Sequence, residues 1–170
     1  MWLSIIIISF IGTLSHFLYD ITNHNKIIGL FTAVNESTWE HIKIALTPTF
    51  LWSLYDGMIY GSNPNYFVAK ATSLLSLILV IPLLFYSYKF FIKKNIVFID
   101  ISIFYISIIL SQFLFYYVIS LEPVNSLLIY ISCILMFIIF GFYMVLTLFP
   151  FKTFLFKDPK SKKYGFKGHK

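Results

Sequence analysis

Residues 124 to 149 read VNSLLIYISCILMFIIFGFYMVLTLF, a run without a single charged side chain. A helix needs about 20 mostly apolar residues to cross about 30 Å of hydrocarbon, so this stretch alone is long enough to span a bilayer. Working outward from it, Glu122-Pro123 forms a tight break, and a second apolar run extends from Ile96 to Ser120. Before the Lys93-Lys94-Asn95 joint lies a third, Phe67 to Tyr88, with Pro82 near its end. Gly61-Ser62-Asn63-Pro64-Asn65 separates that run from a more polar one, about Glu36 to Tyr60, which contains Pro48. The first run covers Trp2 to about Tyr19; with no charged segment before it and no A-x-A site it reads as a retained span and not as a signal peptide. The predicted fold is all-α, an integral membrane bundle of about five transmembrane helices over residues 1–151. A basic cytoplasmic tail, expected to be solvated, follows at 152–170.

Composition agrees. Hydrophobic residues make up 59% of the 170, aromatic residues 21% and charged residues only 12%, whereas soluble chains carry about a quarter charged. A soluble core cannot hide that much apolar surface, and the implied partner is the lipid bilayer, with no nucleic acid. The lone cysteine, Cys133, excludes an internal disulfide and finger-type zinc sites, and reads as a packing residue. Every basic residue is Lys, and Ile, Phe, Tyr and Asn are in excess, a bias that suggests an AT-rich bacterial genome.

Lysine placement predicts orientation, because cytoplasmic loops collect Lys and Arg. With five spans, Lys26, Lys89, Lys93, Lys94 and the tail residues Lys152, Lys157, Lys160, Lys162, Lys163, Lys167 and Lys170 share one side, and only Lys70 sits towards the other. The expected location is therefore the cell membrane, multi-pass, N-terminus outside and C-terminus cytoplasmic.

Ionisable groups inside spans are costly and by default suggest function. The segment Asn35-Glu36-Ser37-Thr38-Trp39-Glu40-His41 opens the second span, with Asn35 as its expected N-cap and Trp39 as an interfacial anchor. Glu36 and Glu40 are four apart and are expected on one helical face, as are His16 and Asp20 at the same depth in the first span. All five side chains, His41 included, are expected to meet in one cytoplasm-facing pocket, with His24 and Asp100 entering from the same side. Glu36, Glu40 and His41 are the candidate catalytic residues. His16, Asp20, Glu40 and His41 are the candidate ligands for a divalent metal such as zinc, which would activate a water against a lipid headgroup or lipid-linked ester. Other readings stand beside this one: Glu36 and Asp20 as helix borders in wet headgroups, Glu40 and His41 paired structurally with Lys43 or Asp100, or a metal-free hydrogen-bonded knot. Asp56 and Lys70 read as an ion pair, and Gln112 as an interhelical hydrogen-bonding residue.

His16-Phe17-Leu18-Tyr19-Asp20, Gly29-Leu30-Phe31, the Asn35–His41 segment with Lys43 and Pro48, and Asp158-Pro159-Lys160-Ser161-Lys162-Lys163-Tyr164-Gly165 together resemble a family of small bacterial integral membrane proteins of unknown function marked by N-E-S-x-W-E-H. That resemblance implies a multi-pass fold and no activity. Ser37, Asp20, His16 and His41 are more loosely similar to the Ser, Asp and His set of intramembrane zinc hydrolases of the ceramidase and adiponectin-receptor type; this chain lacks their H-x-x-x-H helix and two of their seven spans. The functions weighed are a metal-dependent intramembrane lipid hydrolase, a small transporter or proton-coupled carrier, and a membrane scaffold. A carrier would need a polar path, which a homodimer would help to build, and the midplane is expected to be nearly all Ile, Leu and Phe.

Overall fold

A computed structural model describes residues 1–168. His169 and Lys170, the latter counted above among the cytoplasmic lysines, lie outside the described residues. The described residues are helical throughout: α1 (Trp2–Ile21), α2 (Lys26–Phe31), α3 (Thr38–Tyr60), α4 (Tyr66–Ile92), α5 (Val97–Ile119) and α6 (Ser126–Leu148), with a short 3-10 turn at Gly165–Gly168.

Local chemistry sets the joints. Asn23 and His24 both adopt positive φ, 51° and 60°, and turn the chain out of α1. Asn25 then caps α2 by accepting from the N–H groups of Ile27 and Ile28. At the other end of the bundle, the buried Asn65 side chain donates to Leu121 O at 2.8 Å and Glu122 O at 3.0 Å, and accepts from Val124 N at 3.0 Å. One amide thus locks the α3–α4 turn to the α5–α6 turn, supplying partners to turn backbone that no helix satisfies.

α4 packs most extensively against α5, then against α6 and α3, and α1 lies against α3 and α5. Pro48 sits inside α3 and supplies no N–H to the carbonyl of Ile44. At that carbonyl α1 presents Gly12, where an added methyl would stand 2.7 Å from Ile44 O. The glycine lets the two backbones touch where the proline has freed an oxygen, a small-residue crossing typical of membrane helices.

Four helices, α1, α4, α5 and α6, are long and apolar enough to cross a membrane, and large side chains such as Phe98, Phe90 and Phe137 point outward from them. The 23-residue α3 is not among these four, because Glu40, His41, Lys43 and Asp56 dilute it. Thirteen of its residues are buried, Glu40, Lys43 and Asp56 among them, while Leu51, Leu54 and Met58 face outward. Apolar side chains look outward and these charged groups are screened, as a lipid solvent requires.

The chain after α6 is folded and differs from the solvated tail that its lysines suggest. Phe156 is buried, Leu155 O accepts the N–H of Trp39 at 3.0 Å, and the 3-10 turn rests against α6. The physical reason is the apolar Leu155-Phe156 pair, of which Phe156 is buried against Trp39 at the start of α3 while Phe154 stays exposed.

Candidate functional site

The site residues come from the end of α1, the entry to α3, the facing ends of α4 and α5, and the returning tail. Helix α3 begins at Thr38 with Ser37 as N-cap, so Glu36 precedes the helix and shares no helical face with Glu40. Asn35 is not the cap. Its Oδ1 accepts from Ser37 N at 2.8 Å, while its Nδ2 donates to Gly165 O at 2.9 Å, tying the loop to the tail.

Glu40 turns into the protein. Its Oε2 lies 2.6 Å from Lys43 Nζ, and the two side chains are 2% and 1% exposed. The same oxygen accepts from Val34 N at 3.1 Å. Lys43 Nζ also donates to Gly29 O at 2.8 Å and Thr147 Oγ1 at 2.9 Å. Every charge in this knot has a partner, the condition under which a buried ion pair is tolerated. Asp20 goes the opposite way. At the end of α1 its side chain is 64% exposed, 3.5 Å from His24 Nε2 in the following turn.

His16, Glu36 and His41 do come together. They line a cleft of about 510 Å³ together with the polar Thr38, Asp100 and Lys160 and the apolar Ile81, Phe85, Ile101 and Phe104. The imidazoles of His16 and His41 stack with centroids 5.7 Å apart and planes 26° from parallel. His41 Nδ1 lies 3.0 Å from Ser37 O, and a carbonyl only accepts, so Nδ1 carries a proton. Its Nε2 stands 3.7 Å from Glu36 Oε2, and Glu36 Oε1 takes Lys160 Nζ at 3.2 Å. His16 Nδ1 is buried without a hydrogen-bond partner. Asp100 accepts from the Tyr88 hydroxyl across the α4–α5 turn.

The tail forms the cleft's rim. Asp158 accepts from the backbone N–H of Glu36 at 3.0 Å and from that of Ser161, which closes an Asx-type turn beneath Pro159 and Lys160. Burial raises the Asp158 pKa, but the donated N–H groups of Ser161, Glu36 and Lys160 outweigh it and hold the carboxyl below the usual carboxylate range. Trp39 is not an interfacial anchor. It is 6% exposed and sandwiched between Tyr143, at 3.9 Å and 3° from parallel, and Phe156, at 4.3 Å. The signal that would have found this contact is the apolar run within an otherwise basic tail.

The expected single pocket is therefore divided. Glu36 and His41 of the candidate catalytic set, with His16 of the candidate ligands, share the cleft, Glu40 belongs to the buried knot, and Asp20 faces outward. Among the described residues no group of three or more His, Cys, Asp or Glu side chains is placed to hold a metal ion. The Asp56–Lys70 ion pair is present and fully buried. Gln112 is also buried, but without the expected interhelical hydrogen bond: neither its oxygen nor its nitrogen has a partner.

Residues 1–166 match the model of a family of unknown function, DUF6512. No curated protein and no solved structure matches the chain.

Proposed function

We propose, from the premise that the chain belongs to that family of unknown function, that it is a five-span membrane protein whose cytoplasmic cleft binds the polar end of a lipid and performs acid–base chemistry on it. α3 is the fifth span, sheltered by the four apolar ones. The lysine distribution supports an external N-terminus and a cytoplasmic tail.

The observation that carries the reading is the pairing of His16 with His41 in a cleft lined by both polar and apolar side chains. An amphiphile suits such a mixed lining: its ester would lie by the imidazoles and its chain against residues such as Phe85 and Phe104. His41, with Nδ1–H held by Ser37 O and Nε2 beside Glu36, is arranged to carry a second proton on Nε2. His16 lines the cleft beside His41 and is the base through Nε2, since its Nδ1 is sealed inside the protein. In an ester hydrolysis His16 takes a proton from water as the oxygen bonds to the ester carbon. The carbon–oxygen bond then breaks as His41 gives its Nε2 proton to the leaving alkoxide, yielding an acid and an alcohol. Glu36 is a positioning residue for His41, and Lys160 restrains Glu36. No step is routed through a metal, because Asp20 and Glu40 stand apart from the two imidazoles.

The test is mass spectrometry of lipid bound to and released by the purified protein in vesicles of phosphatidylethanolamine and phosphatidylglycerol. Retained lipid and ester products that vanish in His16→Gln and His41→Gln support the reading. Protein that neither retains lipid nor alters it, or loss of product on chelation of a stoichiometric metal, overturns it.

A further inference from the structure

The bundle interior beyond the cleft is more polar than the Ile, Leu and Phe content of the spans suggests. Contacts fix the register. Thr13 Oγ1 of α1 lies 3.2 Å from the Tyr105 hydroxyl of α5. Ser73 Oγ of α4 lies 2.7 Å from Ser111 Oγ, and Lys70 Nζ sits 4.2 Å above the Phe115 ring. Passing along α5, Phe104 is a wall of the cleft, Ser107, Ser111 and Gln112 follow, and Phe115 lies under Lys70. Eleven residues at 1.5 Å rise make this distance roughly 16 Å.

Ser107, Ser111 and Gln112 are fully enclosed, yet the Ser107 hydroxyl and both polar atoms of the Gln112 amide have no protein partner. Buried polar groups are normally satisfied, by internal water where protein atoms do not reach. Ser107 and Ser111 stand four residues, about 6 Å, apart along α5, a spacing that one water bridges, and Gln112 directly follows Ser111.

We propose that these groups hold a file of internal water that conducts protons between the cytoplasmic cleft and the buried Asp56–Lys70 pair. This rests on the register of α4 and α5 and not on the lipid chemistry. The ionisable groups around the pair are Tyr60 on its own helix, Tyr66 on α4 and Tyr116 on α5. Tyr60 and Tyr116 stack edge to face at 5.9 Å, and the Tyr66 hydroxyl is held by Ser53 O. A proton entering past the tyrosines binds Asp56, leaving Lys70 without its counterion. The uncompensated ammonium favours release of that proton: Asp56 hands it to the first water of the file, each water accepting one proton and passing one on, until one leaves into the cleft. One proton has entered and one has left, and Asp56 is again the carboxylate partner of Lys70.

The experiment uses the full chain in vesicles enclosing a pH-sensitive dye, driven by a potassium diffusion potential set with valinomycin. Proton entry above that of empty vesicles is expected, falling to the empty-vesicle level in Gln112→Leu and in Asp56→Asn. Gln112→Leu removes only groups that lack protein partners, so it should melt no lower than the unaltered protein and separates loss of the path from loss of the fold. If Asp56→Asn does not fold, Asp56→Asn/Lys70→Gln replaces it, with both charges removed together. Unaltered protein no more permeable than empty vesicles, or a folded Gln112→Leu that conducts as before, overturns the proposal.

Discussion

Lys43 has nowhere to send its charge except to Glu40 and two oxygens around it, and this dictates what happens when Glu40 is removed. Glu40→Ala strands a buried ammonium and is expected to cost about 3–5 kcal/mol, read as a lowered midpoint in detergent melting. Glu40→Leu/Lys43→Met should recover most of that loss, since replacing both partners by apolar groups of similar size is close to neutral. If Glu40→Ala melts as the unaltered protein does, the knot is not structural. Asp158 gives a pH-dependent counterpart. Its folded pKa is below the ordinary value of 3.8, so its stabilising contribution is present above that value and is lost as pH falls through the folded pKa. The amide NMR signals of Glu36 and Ser161 should accordingly stay fixed at neutral pH and shift only once the pH drops below 3.8. Movement around pH 6 would assign the contact to another group. The residue types of the site were legible in the sequence: His16, Glu36 and His41 do share a cleft. What spacing alone could not resolve was the helix start. With Ser37 at the N-cap, the interval from Glu36 to Glu40 is half loop and half helix, and the two carboxylates diverge.

Helix α3 owes its position to contacts with segments far away in sequence. One of its free first-turn N–H groups, that of Trp39, is met by Leu155 O of the tail, and its aromatic entry is closed by Phe156. Phe156→Ala should therefore release the tail, at a cost of about 3 kcal/mol for a buried aromatic truncation, and free the backbone at Lys157, Lys160 and Lys163, whose side chains are already exposed, for cleavage by trypsin. Protection equal to that of the unaltered chain would show that the tail is held elsewhere. The Gly12 crossing is stricter. Gly12→Leu pushes a side chain into Ile44 O and the Phe104 ring and should lower the melting midpoint, whereas the same change at Gly141, where a Cβ meets nothing within 4 Å, should not. The four apolar elements were legible to within a few residues, because hydropathy in a bilayer leaves little choice of structure. Helix α2 and the docked tail were not, since both are short and depend on partners that no local period reveals.

Taken whole, the molecule sets one end apart: α1, α4 and α6 finish where α3 and α5 begin, and the cleft, the buried Glu40–Lys43 knot and the tail all gather there. The other end is closed by Asn65 and by the Asp56–Lys70 pair. The proposed orientation predicts that, in a Cys133→Ala background, Asn63→Cys reacts with an impermeant thiol reagent from outside the cell and Asn95→Cys only after the membrane is opened. Labelling of both from one side would remove the five-span topology.

The enclosure of Asp56 by Lys70 also bears on how the chain is made. As α3 leaves the ribosome it carries Glu40, Lys43 and Asp56, each disfavoured in a bilayer centre by about 2.5–3.5 kcal/mol on insertion scales. Its neutralising partner for Asp56 lies in α4 and has not yet been synthesised. On the proposed five-span reading, integration of α3 waits in the translocon for α4, and the two enter lipid as a hairpin. In a chain truncated before Tyr66, which α1 still anchors, α3 should remain open to added protease, and in one extended well past Ile92 it should be protected.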